Sequence, residues 1–277
     1  MNETLFKIYQ ALQVSCEELV AYRGAHLFFF ALVILCTAFL VKFFRYCSYR
    51  TFRAILFVLW LTIFVLEILR QFYYCVRYDS ASGEFSYHFQ MHTLPMQLCA
   101  MQHYMLPAIL LLPRGKACDT ALLFMATYSF IGGLAVMLVP ATISTTNAFI
   151  NIQGLIHHGI QCIAGIFIIA HEHAYIEKKI FLRNFVLFLS MIGMVLILNE
   201  HAHDLSLKYG IVAWDLFMLS PYGTGGLDIV KQLREALTHE QFVIGYILLL
   251  TTVSLIIYAI LAFIFKKTDK RYISKWR

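Results

Sequence analysis

Four stretches of this chain place chemically active side chains inside otherwise apolar sequence. They hold Glu67 and Arg70; His92, Gln97 and Cys99; Asn151, His157, His158 and Gln161; and the run Asn199-Glu200-His201-Ala202-His203-Asp204. Three chemistries suit these residue types. A thiol whose proton is taken by a neighbouring imidazole becomes a good nucleophile toward an acyl carbonyl. That reading casts Cys99 as nucleophile and His158 as general base, with Glu67 or Asn199 orienting the ring and Arg70 or His92 meeting a phosphate or a developing oxyanion. A second reading uses neutral imidazoles and carboxylates as zinc ligands, drawing on His157, His158, His201, His203, Asp204 and Glu200. Adjacent helical residues point about 100° apart, which is a poor spacing for His157 and His158 to share an ion, so no metal and no cofactor is expected. In the third reading the titratable groups line the path of a transporter or a small-ligand binding protein.

The elements that must position these groups follow from composition. The 277 residues are 60% hydrophobic and 14% charged, with a mean hydropathy of +0.71, whereas soluble domains carry roughly 25% charged residues. A soluble globular domain is excluded. A spanning helix needs about 20 mostly apolar residues, and seven segments qualify: residues 25–43, 54–74, 92–112, 120–140, 150–170, 180–199 and 242–265. The expected fold is all-α, a polytopic membrane bundle of seven transmembrane helices forming one integral membrane domain over residues 1–277. Residues 1–22 lack a signal-peptide pattern, so the first apolar helix is expected to direct insertion.

Orientation follows from the lysines and arginines, because positive charge resists translocation. The loops after the first, third and fifth segments, with the tail Lys266, Lys267, Lys270, Arg271, Lys275 and Arg277, hold fifteen of the 22; the opposite side holds six, and Arg70 lies within a segment. The amino terminus is therefore expected outside and the carboxyl terminus in the cytoplasm, as in a multi-pass protein of the cell membrane. Residues 200–241 form the one long connection, an outer loop with the turn-forming run Ser220-Pro221-Tyr222-Gly223-Thr224-Gly225-Gly226, read as a cap on the bundle.

With this orientation the costly groups share one depth. Glu67 and Arg70 fall in the outer third of the second segment, spaced to pair along the helix. His92, Gln97 and Cys99 fall in the outer half of the third, and Asn151, Gly154, His158 and Gln161 recur every three or four residues in a stripe that starts at the outer surface. Taken singly, Glu67 with Arg70 reads as an intrahelical ion pair, His157 and His158 as interhelical hydrogen-bonders, and Cys99 as a packing residue. Their convergence points to a site, because ionisable groups in a bilayer normally face protein or a wet cavity.

The net charge of +6 is explained by loops and tail facing anionic headgroups. No phosphate-binding loop, RNA-binding signature or zinc-finger spacing is present, so the expected partners are membrane lipids and not nucleic acid. Seven cysteines without CxxC spacing do not suggest a disulfide framework, a Cys16–Cys75 bond being the one pairing considered.

Three motifs carry a resemblance to a known family. Leu94-Pro95-Met96-Gln97-Leu98-Cys99, Gly154-Leu155-Ile156-His157-His158-Gly159 and Phe217-Met218-Leu219-Ser220-Pro221 together resemble the YwaF-like bacterial integral membrane proteins. More distantly they resemble the eukaryotic transmembrane protein 164 family. The latter resemblance implies a membrane acyltransferase acting on phospholipid acyl chains through a cysteine and a histidine. His158 matches that histidine. The relatives' cysteine directly follows the proline, where this chain has Met96, and Cys99 comes three residues later on roughly the same helical face. Trp214-Asp215 stands where the family carries an asparagine.

Overall fold

The computed structural model describes residues 3–172, 178–223 and 228–267. The tail from residue 268 and the turn residues Thr224, Gly225 and Gly226 lie outside the described residues. The chain is mostly helical. A short amphipathic helix α1 (Glu3–Leu12) precedes α2 (Gly24–Phe44) and α3 (Tyr49–Cys75), whose first turn is capped by the Ser48 hydroxyl accepting from the Thr51 N–H at 3.2 Å. A hairpin of β1 (Val76–Asp79) and β2 (Glu84–Tyr87) follows, a feature the all-α expectation lacks; its antiparallel register pairs Val76 with Tyr87 and Asp79 with Glu84. Phe6 and Tyr9 of α1 pack on Tyr78 and Phe85 of the hairpin. Then come α4 (Gln102–Leu111), α5 (Lys116–Phe124), a π turn (Met125–Ser129), α6 (Phe130–Leu138), α7 (Ala148–Glu172), α8 (Lys178–Tyr209), α9 (Asp228–Ala236) and α10 (His239–Lys267).

Among the described residues, six helices are long and apolar enough to cross a membrane: α2, α3, α5 with α6, α7, α8 and α10. Where a continuous span is expected over residues 92–112, the chain instead forms a 3-10 turn (Met91–Thr93), an extended stretch, a second 3-10 turn (Leu98–Met101) and the short α4. The break has a local cause. Leu94, preceding Pro95, adopts φ −58° and ψ 141°, as the proline ring disfavours helical backbone at the residue before it. The expected outer loop also starts late, because α8 continues ten residues past residue 199, to Tyr209.

Helix α7 is the centre. It packs against α2, α3, α6 and α10, and 83% of its most apolar stretch is buried, against 6% in α2 and α10. The least apolar of these helices is thus wrapped by protein, while Leu35, Phe39, Leu248 and Ile256 on the peripheral helices are exposed in the way of lipid-facing residues. Glycines let the wrapping helices approach α7 closely. A Cβ on Gly133 of α6 would stand 2.6 Å from Gln161 Cβ and 2.8 Å from the His158 carbonyl oxygen, and one on Gly159 of α7 would stand 2.6 Å from Val33 of α2.

At the end of the bundle where α7 finishes, Arg114 makes two hydrogen bonds to Glu172, at 2.8 and 2.6 Å, and an ion pair with Asp119 at 3.0 Å. Burial opposes the charge of Arg114, yet these two carboxylates hold its guanidinium above its ordinary range. His171 extends the cluster, contacting Glu172 and the Cys47 carbonyl.

Replacing Gly133 by alanine should force α6 off α7 and lower stability by about 1–3 kcal/mol, the usual scale of overpacking. Gly193→Ala, where nothing lies within 4 Å of the added carbon, should be near neutral. Thermal unfolding of both variants in detergent micelles measures the difference; equal melting temperatures would refute the close packing.

Candidate functional site

The interrupted segment before α4 leaves backbone carbonyls without α-helical partners, and in a bilayer each needs a donor from the protein. Side chains from other elements supply them. Trp214 Nε1 donates to the Met91 carbonyl. Arg70 donates to the Thr93 carbonyl, which also accepts from Gln71 Nε2 at 2.7 Å. The Cys99 carbonyl accepts from Gln161 Nε2 at 2.6 Å and from His157 Nε2 at 3.2 Å. Pro107 inside α4 has no N–H for the His103 carbonyl one turn earlier, and Trp60 Nε1 donates there at 3.3 Å.

These bonds bring Cys99 onto α7. The Cys99 sulfur and one ring nitrogen each from His157 and His158 all lie within 4.8 Å of one another. The roughly 100° between adjacent histidines does not keep them apart, their ring centroids lying 5.0 Å from one another, and Cys99 meets both from a different element; this corrects the spacing objection raised from sequence. Among the described residues this is the one cluster of three such groups with converging ligand atoms. His157 and His158 are each 6% exposed. Gly132 of α6 forms the facing wall, where an added Cβ would touch Cys99 at 3.6 Å.

Hydrogen-bond logic fixes both rings. A carbonyl oxygen only accepts, so the Gln161 atom on the Cys99 carbonyl is the amide nitrogen, which also donates to Ser129 Oγ at 3.1 Å. Its oxygen therefore faces His158 Nδ1, 2.9 Å away, and that ring nitrogen carries the hydrogen. His158 Nε2 is left with its lone pair. By the same rule His157 Nε2 carries a hydrogen toward the Cys99 carbonyl, and His157 Nδ1 keeps a lone pair, buried and with no hydrogen-bond partner.

The other expected site residues lie around this centre in different roles. Glu67 and Arg70 form a two-bond ion pair at 2.8 Å, and Gln71 Nε2 donates to Glu67 Oε1 at 2.6 Å. Glu67 reaches His103 Nε2 only at 3.9 Å, and the His103 ring sits 5.2 Å from that of His157. Arg70, neutralised by Glu67 and bound to the Thr93 carbonyl, is engaged in structure. His92 is exposed and packs edge-on to Tyr74. Asn199 does not orient His158: its amide bonds the Leu216 N–H at 2.8 Å and carbonyl at 3.2 Å. Gln161 holds the ring instead. The sequence contained that signal, since Gln161 follows His158 by three residues in the polar stripe. His103 and Ser129 lie outside the stripe and the motifs that the sequence marks.

Gln97, two residues before Cys99, ties the loop that follows α8 to the interrupted segment. Gln97 Nε2 donates to the Asp215 carbonyl and its Oε1 accepts from the Phe217 N–H, at 2.9 and 2.8 Å. This fastens a turn in which Phe217 and Met218 both have left-handed backbones, φ 56° and 57°, a strained pairing held by its surroundings. Asp215 accepts from the Ser220 N–H and pairs with Arg234, which also donates to the Met218 carbonyl at 2.6 Å. His203 stacks on Tyr222 and Glu200 accepts from the Tyr222 hydroxyl, so this part of the proposed zinc set faces the loop, apart from His157 and His158. All seven cysteines are free, Cys16 and Cys75 included.

The model of the TMEM164 family matches residues 21–258. The chain belongs to that family. No curated protein and no solved structure matches it. The family match runs from before α2 to residue 258 within α10, so the Cys99–His157–His158 cluster lies wholly within the TMEM164 region.

Gln161→Leu removes the donor to the Cys99 carbonyl and the acceptor for His158 together. Each group left buried and unpaired costs about 1–3 kcal/mol, so a clear fall in melting temperature relative to Gly193→Ala is expected. An unchanged melting temperature would mean that Gln161 does not hold the two groups.

Proposed function

We propose that this TMEM164-family protein is a membrane acyltransferase or lipid hydrolase in which Cys99 is the nucleophile and His158 the general base. The observation that carries the reading is the thiol within 4.8 Å of a ring nitrogen of an imidazole whose Nδ1–H is anchored by Gln161, leaving Nε2 to accept a proton. A side-chain rotation of about 1–2 Å brings such a pair to hydrogen-bond reach, which apo sites often lack. The family resemblance implies the same pair of residue types, with Cys99 replacing the cysteine expected at Met96; the YwaF-like likeness of the motifs is part of this proposal.

In the reaction, Cys99 Sγ attacks the ester carbonyl of a lipid acyl chain as its proton passes to His158 Nε2. The carbon–sulfur bond forms, the ester carbon–oxygen bond breaks, and the departing alcohol takes the proton back from His158. Water or a second lipid hydroxyl then attacks the thioester, with the same ring as base. An open apolar crevice of about 670 Å³ between α2 and α3, floored by Ile163 of α7, offers a seat for an acyl chain; Ile163 lies five residues beyond His158 on α7.

The topology proposed with this reading has seven crossings, the amino terminus outside and the carboxyl terminus in the cytoplasm, in one domain of the cell membrane. Contacts at the two ends of residues 91–114 support the seventh crossing. Thr93 sits against Arg70 near the end of α3, whereas Arg114 meets Glu172 at the end of α7 and lies over the ring of Tyr49 at the start of α3. The segment therefore traverses the length of α3, and Cys99 lies in its outer half.

Membranes containing wild type, Cys99→Ala and His158→Ala, labelled with an acyl probe at matched expression, test the chemistry. A hydroxylamine-sensitive label is expected on the wild type, none on Cys99→Ala, and about 10²–10⁴-fold slower labelling on His158→Ala. Intact labelling of Cys99→Ala, or no label on a folded wild type, would overturn the assignment and favour ligand binding or transport. A tag before Met1 should be reached by an impermeant reagent from outside intact cells; access only after lysis would overturn the orientation.

A further inference from the structure

The cluster that offers a nucleophile also has the composition of a metal centre. Three donors, one thiol and two imidazoles, converge within 4.8 Å, and tetrahedral zinc needs nitrogen and sulfur donors about 2.0–2.3 Å from the ion with the remaining position open. Ligating histidines characteristically donate their other N–H to a carbonyl, which fixes the ring and the free lone pair. Both rings here do so: His157 Nε2 faces the Cys99 carbonyl at 3.2 Å and His158 Nδ1 faces the Gln161 amide oxygen at 2.9 Å. The nitrogens left over, His157 Nδ1 and His158 Nε2, are those with lone pairs. His157 Nδ1 is buried without any hydrogen-bond partner, in a residue 6% exposed, and acyl transfer by Cys99 and His158 gives it no role. An unpaired imidazole lone pair at that depth is costly unless something occupies it.

We propose that Cys99 Sγ, His157 Nδ1 and His158 Nε2 form a binding site for a soft divalent transition metal, Zn²⁺ in the first instance, and that the bound ion reversibly blocks the thiol. A thiolate with two imidazoles selects such an ion over Mg²⁺ or Ca²⁺, which take oxygen ligands. Binding replaces the thiol proton by the metal: the S–H bond breaks, a sulfur–metal bond forms, and the proton leaves to solvent. The same sulfur lone pair cannot then attack a carbonyl, and His158 Nε2 cannot then accept a proton. The blocking role rests on the acyl-transfer reading; the metal site does not.

The experiment titrates Co²⁺ into the full-length protein, purified in detergent micelles after chelation, and follows the thiolate-to-cobalt charge-transfer band together with the visible bands of a four-coordinate ion. Wild type should show both, and Zn²⁺ should displace the cobalt. Cys99→Ala should lose the charge-transfer band, His157→Ala should bind at least ten-fold more weakly, and Cys162→Ala, which removes a buried thiol outside the cluster, should behave as wild type. Should Cys99→Ala fail to fold, Cys99→Ser, which keeps the size but not the sulfur, takes its place. No cobalt band in a monodisperse wild type, or a band that survives loss of the Cys99 sulfur, overturns the site. Acyl labelling of the chelated protein is measured in parallel. Labelling without a cobalt band leaves the acyl reading and removes the metal; a cobalt band without labelling does the reverse. Labelling that Zn²⁺ abolishes and chelator restores supports the block, and labelling unaffected by saturating Zn²⁺ refutes it.

Discussion

The bond from the Gln161 amide to the Cys99 carbonyl is the contact on which the centre of this molecule depends. A helix that crosses a bilayer satisfies its own backbone, and a helix that is broken does not. Residues 88–101 are broken by sequence, with a proline at position 95 and no helical periodicity to override it. Every such interruption needs a donor from elsewhere, and Gln161 supplies the one that matters most. In doing so it commits its nitrogen to Cys99, hence its oxygen to His158, hence the His158 hydrogen to Nδ1. Backbone satisfaction and ring tautomer are set by one carboxamide.

The same rule explains where the polar residues of the protein went. Trp60, Arg70, Gln71, Gln97, Asn199, Trp214 and Arg234 each hold a main-chain group of a non-helical or proline-interrupted stretch. These seven side chains are staples for irregular backbone, and the irregular backbone is what carries Cys99 and the Phe217–Met218 turn. This is why α7, with its asparagine, glutamines and histidines, is the most enclosed helix, while the more apolar α2 and α10 face outward.

Much of this was legible in the residues. The stripe along α7 and the Glu67–Arg70 pair follow from helical spacing alone, and the depth argument brought Cys99 toward His158. What spacing could not show was the partner of each group. Asn199 and Gln161 are both amides near the same level, and only the folded chain assigns one to Leu216 and the other to His158. The adjacency of His157 and His158 argues against a shared centre only from the angle between them along one helix; in the fold their rings lie 5.0 Å apart, and the third corner comes from an interrupted segment that hydropathy alone reads as a continuous span. Pro95 and Pro107 were the sequence marks of that interruption.

The π turn at Met125–Ser129 has a consequence for phase. A π turn accommodates one residue more than an α-helix would, so the faces before and after it are offset by about 100°. The two halves accordingly serve different neighbours: α5 lies on α8, α6 on α7. Without that extra residue a single apolar face would continue down the helix, and the Gly132–Gly133 surface that admits Cys99 and Gln161 would rotate away. The register of the reactive centre is thus written into the backbone count of a helix that contributes none of its reactive atoms.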